Sequence, residues 1–220
     1  MLFRKKRRHR EETNDLGHGL PAGARHYRAF VGPPQNYDII AAMQFNLLTG
    51  VGLREHHTLL DIGCGSLRAG RLFIPFLLPG HYYGLEPNRW LVEQGVNREI
   101  GRDLVRIKRP VFNHNGEFKL TVFRQRFDYL LAQSIFSHAP PSQIEACLRE
   151  AREVMHPESI FLATYVPGPE NYNGSEWIYP DCVRYTEARM IQFAGEAGLI
   201  AKPQTWQHPH DQKWLMITRS

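Results

Sequence analysis

Cysteine is scarce: three residues in 220, at Cys64, Cys147 and Cys182. They are odd in number, far apart and free of CxxC spacing, which excludes a disulfide framework and a cysteine zinc site and fits a reducing cytoplasm. Long apolar runs are also missing. The longest, Leu72 to Leu78, is broken by Pro75 and too short to span a bilayer, and the N-terminus lacks the apolar core of a signal peptide. No internal repeat or low-complexity linker divides the chain. The HPHD cluster with His208 and His210 is a single short group with one Asp, so no metal site is expected.

Charge of one sign is concentrated at one end. Six of the 27 Lys and Arg residues lie within Arg4 to Arg10, opposed by Glu11 and Glu12, and without them the formal charge of +5 nearly vanishes. Residues 1–15 are expected to be a solvated basic tail that can touch anionic lipid or phosphate. No basic and aromatic interleaving continues beyond it, which argues against dedicated nucleic-acid binding. Residues 16–220 have the composition of one globular domain, including an N-terminal helical cap over about 24–50.

Apolar periodicity alternates between short runs and longer amphipathic stretches, the rhythm of an α/β sheet. A helix is predicted over Asn36–Thr49, with Ile40, Met43 and Leu47 on its inner side. Leu59–Ile62 reads as a buried strand, then a helix over about Leu67–Phe76, a strand at Tyr82–Leu85 and a helix over about Arg89–Ile100. A third strand is expected near Val105–Phe112 and a fourth at Phe127–Ala132. Ser142 and Glu145 have capping-box spacing for a helix reaching Val154. A fifth strand at Ser159–Tyr165, a helix capped by Thr186 and strands around Ala201–Gln207 and Lys213–Thr218 complete a doubly wound fold.

The stretch LLDIGCGSLRAG, Leu59 to Gly70, sits where such a sheet opens its ligand crevice. Gly63 and Gly65 permit a sharp turn and close backbone approach. A dinucleotide fingerprint needs a third glycine at position 68, which is Arg68, and Asp61 before the turn repels a pyrophosphate while suiting an ammonium. Glu86, closing the second strand, can accept both hydroxyls of a ribose. The charge pattern favours S-adenosylmethionine over NAD.

Together, LLDIGCGSLRAG, YYGLEPN and FDYLLAQSIFSHAP resemble a class I, seven-stranded S-adenosylmethionine-dependent methyltransferase over about Asn36–Ser220. The resemblance implies a mostly parallel sheet of order 3-2-1-4-5-7-6 with the last strand antiparallel. It places Asp61, Gly63, Cys64 and Gly65 around the amino-acid end of S-adenosyl-L-methionine, Glu86 and Pro87 at the ribose, and Gln133 and Ser134 near the methyl group. Leu67 replaces the third glycine of the DxGxGxG pattern, and no NPPY-like sequence follows the fourth strand. The expected activity is methyl transfer to a small-molecule or biosynthetic-intermediate acceptor, at oxygen. The competing readings are a catalytically silent cofactor-binding subunit and, third, an NAD-dependent dehydrogenase. His138 is the candidate general base; a capping or packing role is its alternative. Two aromatic segments, around Tyr27 and Tyr37 and after the fifth strand, suggest an acceptor wall of Tyr27, Tyr37, Tyr165, Tyr172, Trp177 and Tyr179 with His208, or a lid packed on itself.

Overall fold

The computed structural model describes residues 16–220; the basic tail predicted over residues 1–15 lies outside them. Seven strands are joined by six α-helices: α1 Tyr37–Gly50, β1 Leu59–Ile62, α2 Gly70–Phe76, β2 Tyr82–Leu85, α3 Arg89–Gly95, α4 Arg102–Lys108, β3 Val111–Asn113, β4 Phe127–Ala132, α5 Pro141–Val154, β5 Met155–Tyr165, α6 Glu187–Glu196, β6 Leu199–Gln204 and β7 Lys213–Arg219. A π-helical turn, Val96–Ile100, extends α3. The strand order is β3-β2-β1-β4-β5-β7-β6, with β7 antiparallel to both of its neighbours and the other pairs parallel.

Period-two alternation sorts apolar residues onto the two faces of the sheet. Leu60, Ile62, Leu130, Ala132, Phe161 and Ala163 face one way, with Ile144, Leu148 and Ala151 of α5 and Met190 and Phe193 of α6. Leu59, Leu131, Leu162 and Trp214 face the other, with Leu48 of α1 and Phe73 and Ile74 of α2. Because β1 is central and buried on both faces, its carboxyl end emerges between two helical layers. The glycine turn is placed there.

The structure corrects several expected elements. Val105 to Lys108 belong to α4; Gly101 is its N-cap, and Arg109, restricted by Pro110, leaves the right-handed helical region at φ 50°, so β3 begins only at Val111. The N-terminus of α5 has no capping box. Pro140 is its extended N-cap and Pro141 its first residue, which moves Ser142 inside the first turn and leaves Glu145 to approach Arg149 and Arg189. On α1 the buried stripe is Tyr37, Ile40, Ala41, Gln44 and Leu48; Gln44 is tolerated inside because its amide donates to the Ile40 carbonyl. β5 begins at Met155, paired with Phe127 before a register shift that Ser159 bridges by donating to the Phe127 carbonyl. β6 starts at Leu199, directly after Gly198. Thr186 does cap α6, accepting from the Arg189 amide.

The expected helix start at Leu67 fails for a local reason. Leu67 has φ 62°, a left-handed conformation that a right-handed helix cannot contain, so α2 begins at Gly70. The residue standing in the third-glycine position thus retains glycine-like backbone, held by a side chain that is completely buried.

Candidate active site

At the carboxyl ends of β1, β2 and β4 lies a cavity of about 720 Å³. Its glycine lip is closed by two bonds, the amides of Gly63 (2.7 Å) and Cys64 (3.1 Å) both donating to the Leu85 carbonyl. Gly63 has φ 73° and Gly65 φ 54°. A Cβ on Gly63 would lie 2.0 Å from Ile135 Cδ1 and one on Gly65 2.7 Å from Val31 Cγ1, so neither position accepts a side chain.

Glu86 lines the cavity next to Pro87 and is 6% exposed. Its Oε2 accepts the Gly65 amide at 3.1 Å, while Oε1 accepts the backbone amide and side-chain Nδ2 of Asn88 at 2.8 and 3.0 Å. Burial pushes the Glu86 pKa up, and the bonds from Asn88 and Gly65 oppose the rise. With three of about four lone-pair positions engaged, a ribose diol would exchange with the exposed partner, the Asn88 side chain.

Asp61 turns to the face of α2. Its Oδ2 accepts the Tyr82 hydroxyl at 2.7 Å, and burial raises its pKa to about 6 against the opposing effects of that bond and of Arg68. Gly70 permits this pairing, since a Cβ there would lie 2.8 Å from the Tyr82 hydroxyl. Cys64 contributes backbone to the turn, but its thiol is packed in the core against Gly84, where a Cβ would lie 2.8 Å from Sγ; burial drives its pKa upward. Neither the Asp61 nor the Cys64 side chain is among the cavity-lining residues.

The end of β4 forms the floor. Ser134 sits at φ 57°; its amide donates to Thr164 Oγ1, and its hydroxyl accepts from Gln212 and Gln133 at 2.7 and 2.6 Å. Gln133 Oε1 accepts Arg68 Nη2, and Arg68 Nη1 donates to the Val31 carbonyl at 2.6 Å. The wall opposite is aromatic. Phe30 lies 5.3 Å from Tyr179 by ring centroids, and the His138 ring lies 5.0 Å from Tyr179 and 5.8 Å from Trp177.

His138 Nδ1 is 2.9 Å from the carbonyl oxygens of Ile178 and Asp181. Carbonyls only accept, so Nδ1 carries the hydrogen and Nε2 the lone pair. Burial lowers its pKa, partly countered by those two bonds, so the ring is neutral at pH 7. The same ring therefore anchors the loop after β5, which is also joined to it by the Ile178 amide donating to the His138 carbonyl at 2.9 Å.

Of the expected acceptor wall, Trp177 and Tyr179 line the cavity, whereas Tyr27, Tyr37, Tyr165, Tyr172 and His208 do not. Tyr27 donates to Glu99 at 2.9 Å, within a buried Arg28–Glu99 pair of 2.7 Å. Tyr37 is fully buried, donates to the Ser66 carbonyl at 3.1 Å and lies under Arg28 with its centroid 4.4 Å from the guanidinium carbon. Tyr27 thus fastens the N-terminal segment to the π-helical turn after α3, and Tyr37 fastens it to the glycine turn. Tyr165 follows Phe161 and Ala163 on the inward face of β5. Tyr172 closes its own loop by donating to the Glu176 carbonyl at 3.1 Å, and His208 is buried behind Gln133. The cap expected as helical reaches the cavity instead through Phe30, Val31, Gly32 and Pro33, beside the short 3₁₀ turns Ala29–Val31 and Pro34–Asn36. Arg68, Asn88, Ile135 and Gln212 also line it without a sequence signal, together with His210 of the HPHD cluster.

Residues 60–161 match the family model of a methyltransferase domain. Among solved structures, the fold is similar to magnesium protoporphyrin IX methyltransferase from Synechocystis PCC 6803 with bound S-adenosylmethionine (TM-score 0.61, 16% identity, 84% of this chain and 79% of that one). It is similar also to a putative O-methyltransferase from Nostoc punctiforme PCC 73102 (TM-score 0.63, 15% identity, 84% and 57%). The glycopeptide N-methyltransferase MtfA shares it as well (TM-score 0.62, 10% identity, 82% and 90%). A stretch of 102 residues thus matches a methyltransferase domain, and the seven-stranded sheet around it is the fold of these methyltransferases.

Proposed function

We propose that this chain transfers a methyl group from S-adenosylmethionine to an oxygen of a small-molecule acceptor held against the wall of Phe30, Trp177 and Tyr179. The observation that carries the reading is continuity: one cavity joins Gly63, Gly65 and Glu86 to that wall and to His138. The residues fit the cofactor. Gly63 and Gly65 bring backbone to the cavity surface, and Glu86 supplies a buried acceptor at the end of β2. Gly63 and Gly65 would hold the amino-acid end, with the buried Asp61 charge behind the turn favouring its ammonium, Glu86 with Pro87 the ribose, and Gln133 with Ser134 the region of the sulfonium, which supplies an electrophilic methyl group.

The protein then has two tasks. It positions the acceptor oxygen in line and excludes water with its aromatic wall. It also receives the hydroxyl proton at His138 Nε2, whose lone pair is defined by the two carbonyls facing Nδ1. A carboxylate acceptor would need only the first task. The neighbours' names support a biosynthetic small molecule and cover both oxygen and nitrogen acceptors.

Calorimetry tests the cofactor half: S-adenosylhomocysteine should bind at micromolar order and NAD not measurably, with tighter NAD binding overturning it. Product formation by the purified chain across hydroxyl, carboxylate and amine acceptors tests the other half; turnover confined to amines would overturn the oxygen assignment.

A further inference from the structure

A second histidine lines the cavity from the turn before β7. His210 is half-buried there, two residues before Gln212, which lines it as well. Its backbone is fixed, because the His210 amide donates to His208 Nδ1 at 3.0 Å and the Asp211 amide to the His208 carbonyl at 3.1 Å. Its ring is fixed by the N-terminal segment, with Asn36 Nδ2 lying 2.8 Å from His210 Nε2. An amide nitrogen only donates, so Nε2 holds the lone pair and, in a neutral ring, Nδ1 carries the hydrogen. The ring is neutral at pH 7, since burial and the Arg68 charge both lower its pKa against the opposing effect of Asp211.

Nδ1 is the nitrogen left over. It has no hydrogen-bond partner among the described residues and is not enclosed by protein atoms. A donor held in a fixed orientation at a cavity wall, with nothing on the chain to receive it, is a binding group for an oxygen. His138 offers the reverse. Both rings carry hydrogen on Nδ1, but at His138 that hydrogen is engaged by the carbonyls of Ile178 and Asp181 and the Nε2 lone pair is left, whereas at His210 the lone pair is engaged by Asn36 and the hydrogen is left. One cavity thus presents a proton acceptor and a hydrogen-bond donor from two separate loops. Arg68 lines the same cavity with its own bonds going to neutral oxygens, so a charged oxygen is a better partner for the His210 hydrogen than a neutral one.

We infer that His210 is a specificity-determining residue and that the acceptor is a hydroxy acid, with its reacting hydroxyl at His138 Nε2 and its carboxylate at His210 Nδ1. The inference rests on the oxygen-methylation reading above and deepens it by naming the acceptor class. An acceptor with a hydroxyl alone would displace water from His210 and leave the hydrogen unpaired, which costs affinity. The wall of Phe30, Trp177 and Tyr179 suits a flat apolar body between the two polar groups.

Two measurements on the full chain test it. Nitrogen-15 correlation spectra of the histidine rings at pH 7, assigned with His210→Asn, should show the His210 hydrogen on Nδ1; a hydrogen on Nε2 overturns the inference. Methyl transfer to the three hydroxybenzoate isomers is then compared with transfer to the matching methylphenols. At least one hydroxybenzoate should give its methyl ether with kcat/KM roughly 10- to 100-fold above that of its methylphenol, the scale of a charge-assisted hydrogen bond. His210→Ala should bring that ratio near one by raising KM for the hydroxybenzoate, and His210→Asn, whose amide N–H can replace Nδ1–H, should recover part of it. S-adenosylhomocysteine affinity should stay within a few-fold of the parent in both variants. A methyl ester as product, a ratio near one in the parent, or a ratio that survives in His210→Ala overturns the inference, as does a loss of S-adenosylhomocysteine affinity in that variant as large as the expected loss of preference. Should His210→Ala not fold, the position of the ring hydrogen and the parent's ratio decide. If S-adenosylhomocysteine binds and no hydroxybenzoate is methylated, this inference falls and the cofactor reading stands; turnover confined to amines removes the oxygen reading with it.

Discussion

The two halves of the cavity are built from different materials. The cofactor half consists of strand ends and the turn between β1 and α2, where backbone amides and three glycine or glycine-like conformations do most of the holding. The acceptor half consists of loops, with the N-terminal segment on one side and residues 166–186 on the other, meeting through aromatic rings. The first half is rigid because moving it would break the parallel sheet. The second is held to the sheet by a few identifiable ties, principally His138 and the Arg28–Glu99 pair. A shared cofactor and a variable acceptor are the expected consequences of such a division.

The largest effect should come from His138, where the halves join. Under the base assignment, His138→Ala lowers turnover by roughly 10²–10⁴-fold with cofactor affinity changed only a few-fold. His138→Asn separates chemistry from anchoring, because an amide N–H can replace Nδ1 while nothing replaces the Nε2 lone pair. An Asn variant as inactive as Ala supports the base; recovered turnover assigns the histidine to the loop. The parent rate should rise with pH through a pKa below the usual histidine value, because burial lowers it.

Within the cofactor half, Glu86→Ala should cost about 2–4 kcal/mol of S-adenosylhomocysteine affinity by calorimetry, with the fold retained. Unchanged affinity would move the ribose elsewhere.

Asp61 gives a smaller, pH-dependent contrast. Its folded pKa is raised to about 6 by burial, so the fold disfavours the ionised form and the unliganded protein loses stability as pH rises from about 4 through 6. An ammonium favours the ionised form, so cofactor affinity should increase over that interval and reach a plateau above it. Asp61→Asn should flatten both slopes, measured by thermal unfolding and by calorimetry; a persisting affinity slope would assign it to Glu86, the cavity-lining carboxyl whose pKa burial raises. The smallest expected effect is that of deleting Met1–Arg10, which should leave melting temperature and turnover nearly unchanged.

The sheet and the glycine lip were legible because they follow from periodicity and glycine. β1, β2 and β4 have the predicted bounds, since a buried strand between turn residues has one pattern available. β3 was not legible, because three edge residues carry little pattern and the preceding apolar spacing belongs to α4. In the acceptor half, aromatic content announced a cluster without indicating which rings face inward. Tyr37 and Trp177 look equivalent in sequence. One is fully buried under Arg28 and the other is 40% exposed at the cavity rim, a distinction made by tertiary partners alone.

The loop after β5 is tied at three levels: the Gly168 amide to the Tyr185 carbonyl, the Tyr172 amide to the Arg184 carbonyl, and the Ile178 and Val183 amides to the carbonyls of His138 and Ser137. Between these ties, residues 173–177 are exposed and belong to no helix or strand. Lineages carrying this arrangement can lengthen, shorten or rewrite that tip, whose Trp177 belongs to the cavity wall, while the ties keep the change from reaching β5 or the cofactor lip. Acceptor preference can drift at little risk to folding, which makes the tip a natural place to randomise when a new acceptor is sought by selection.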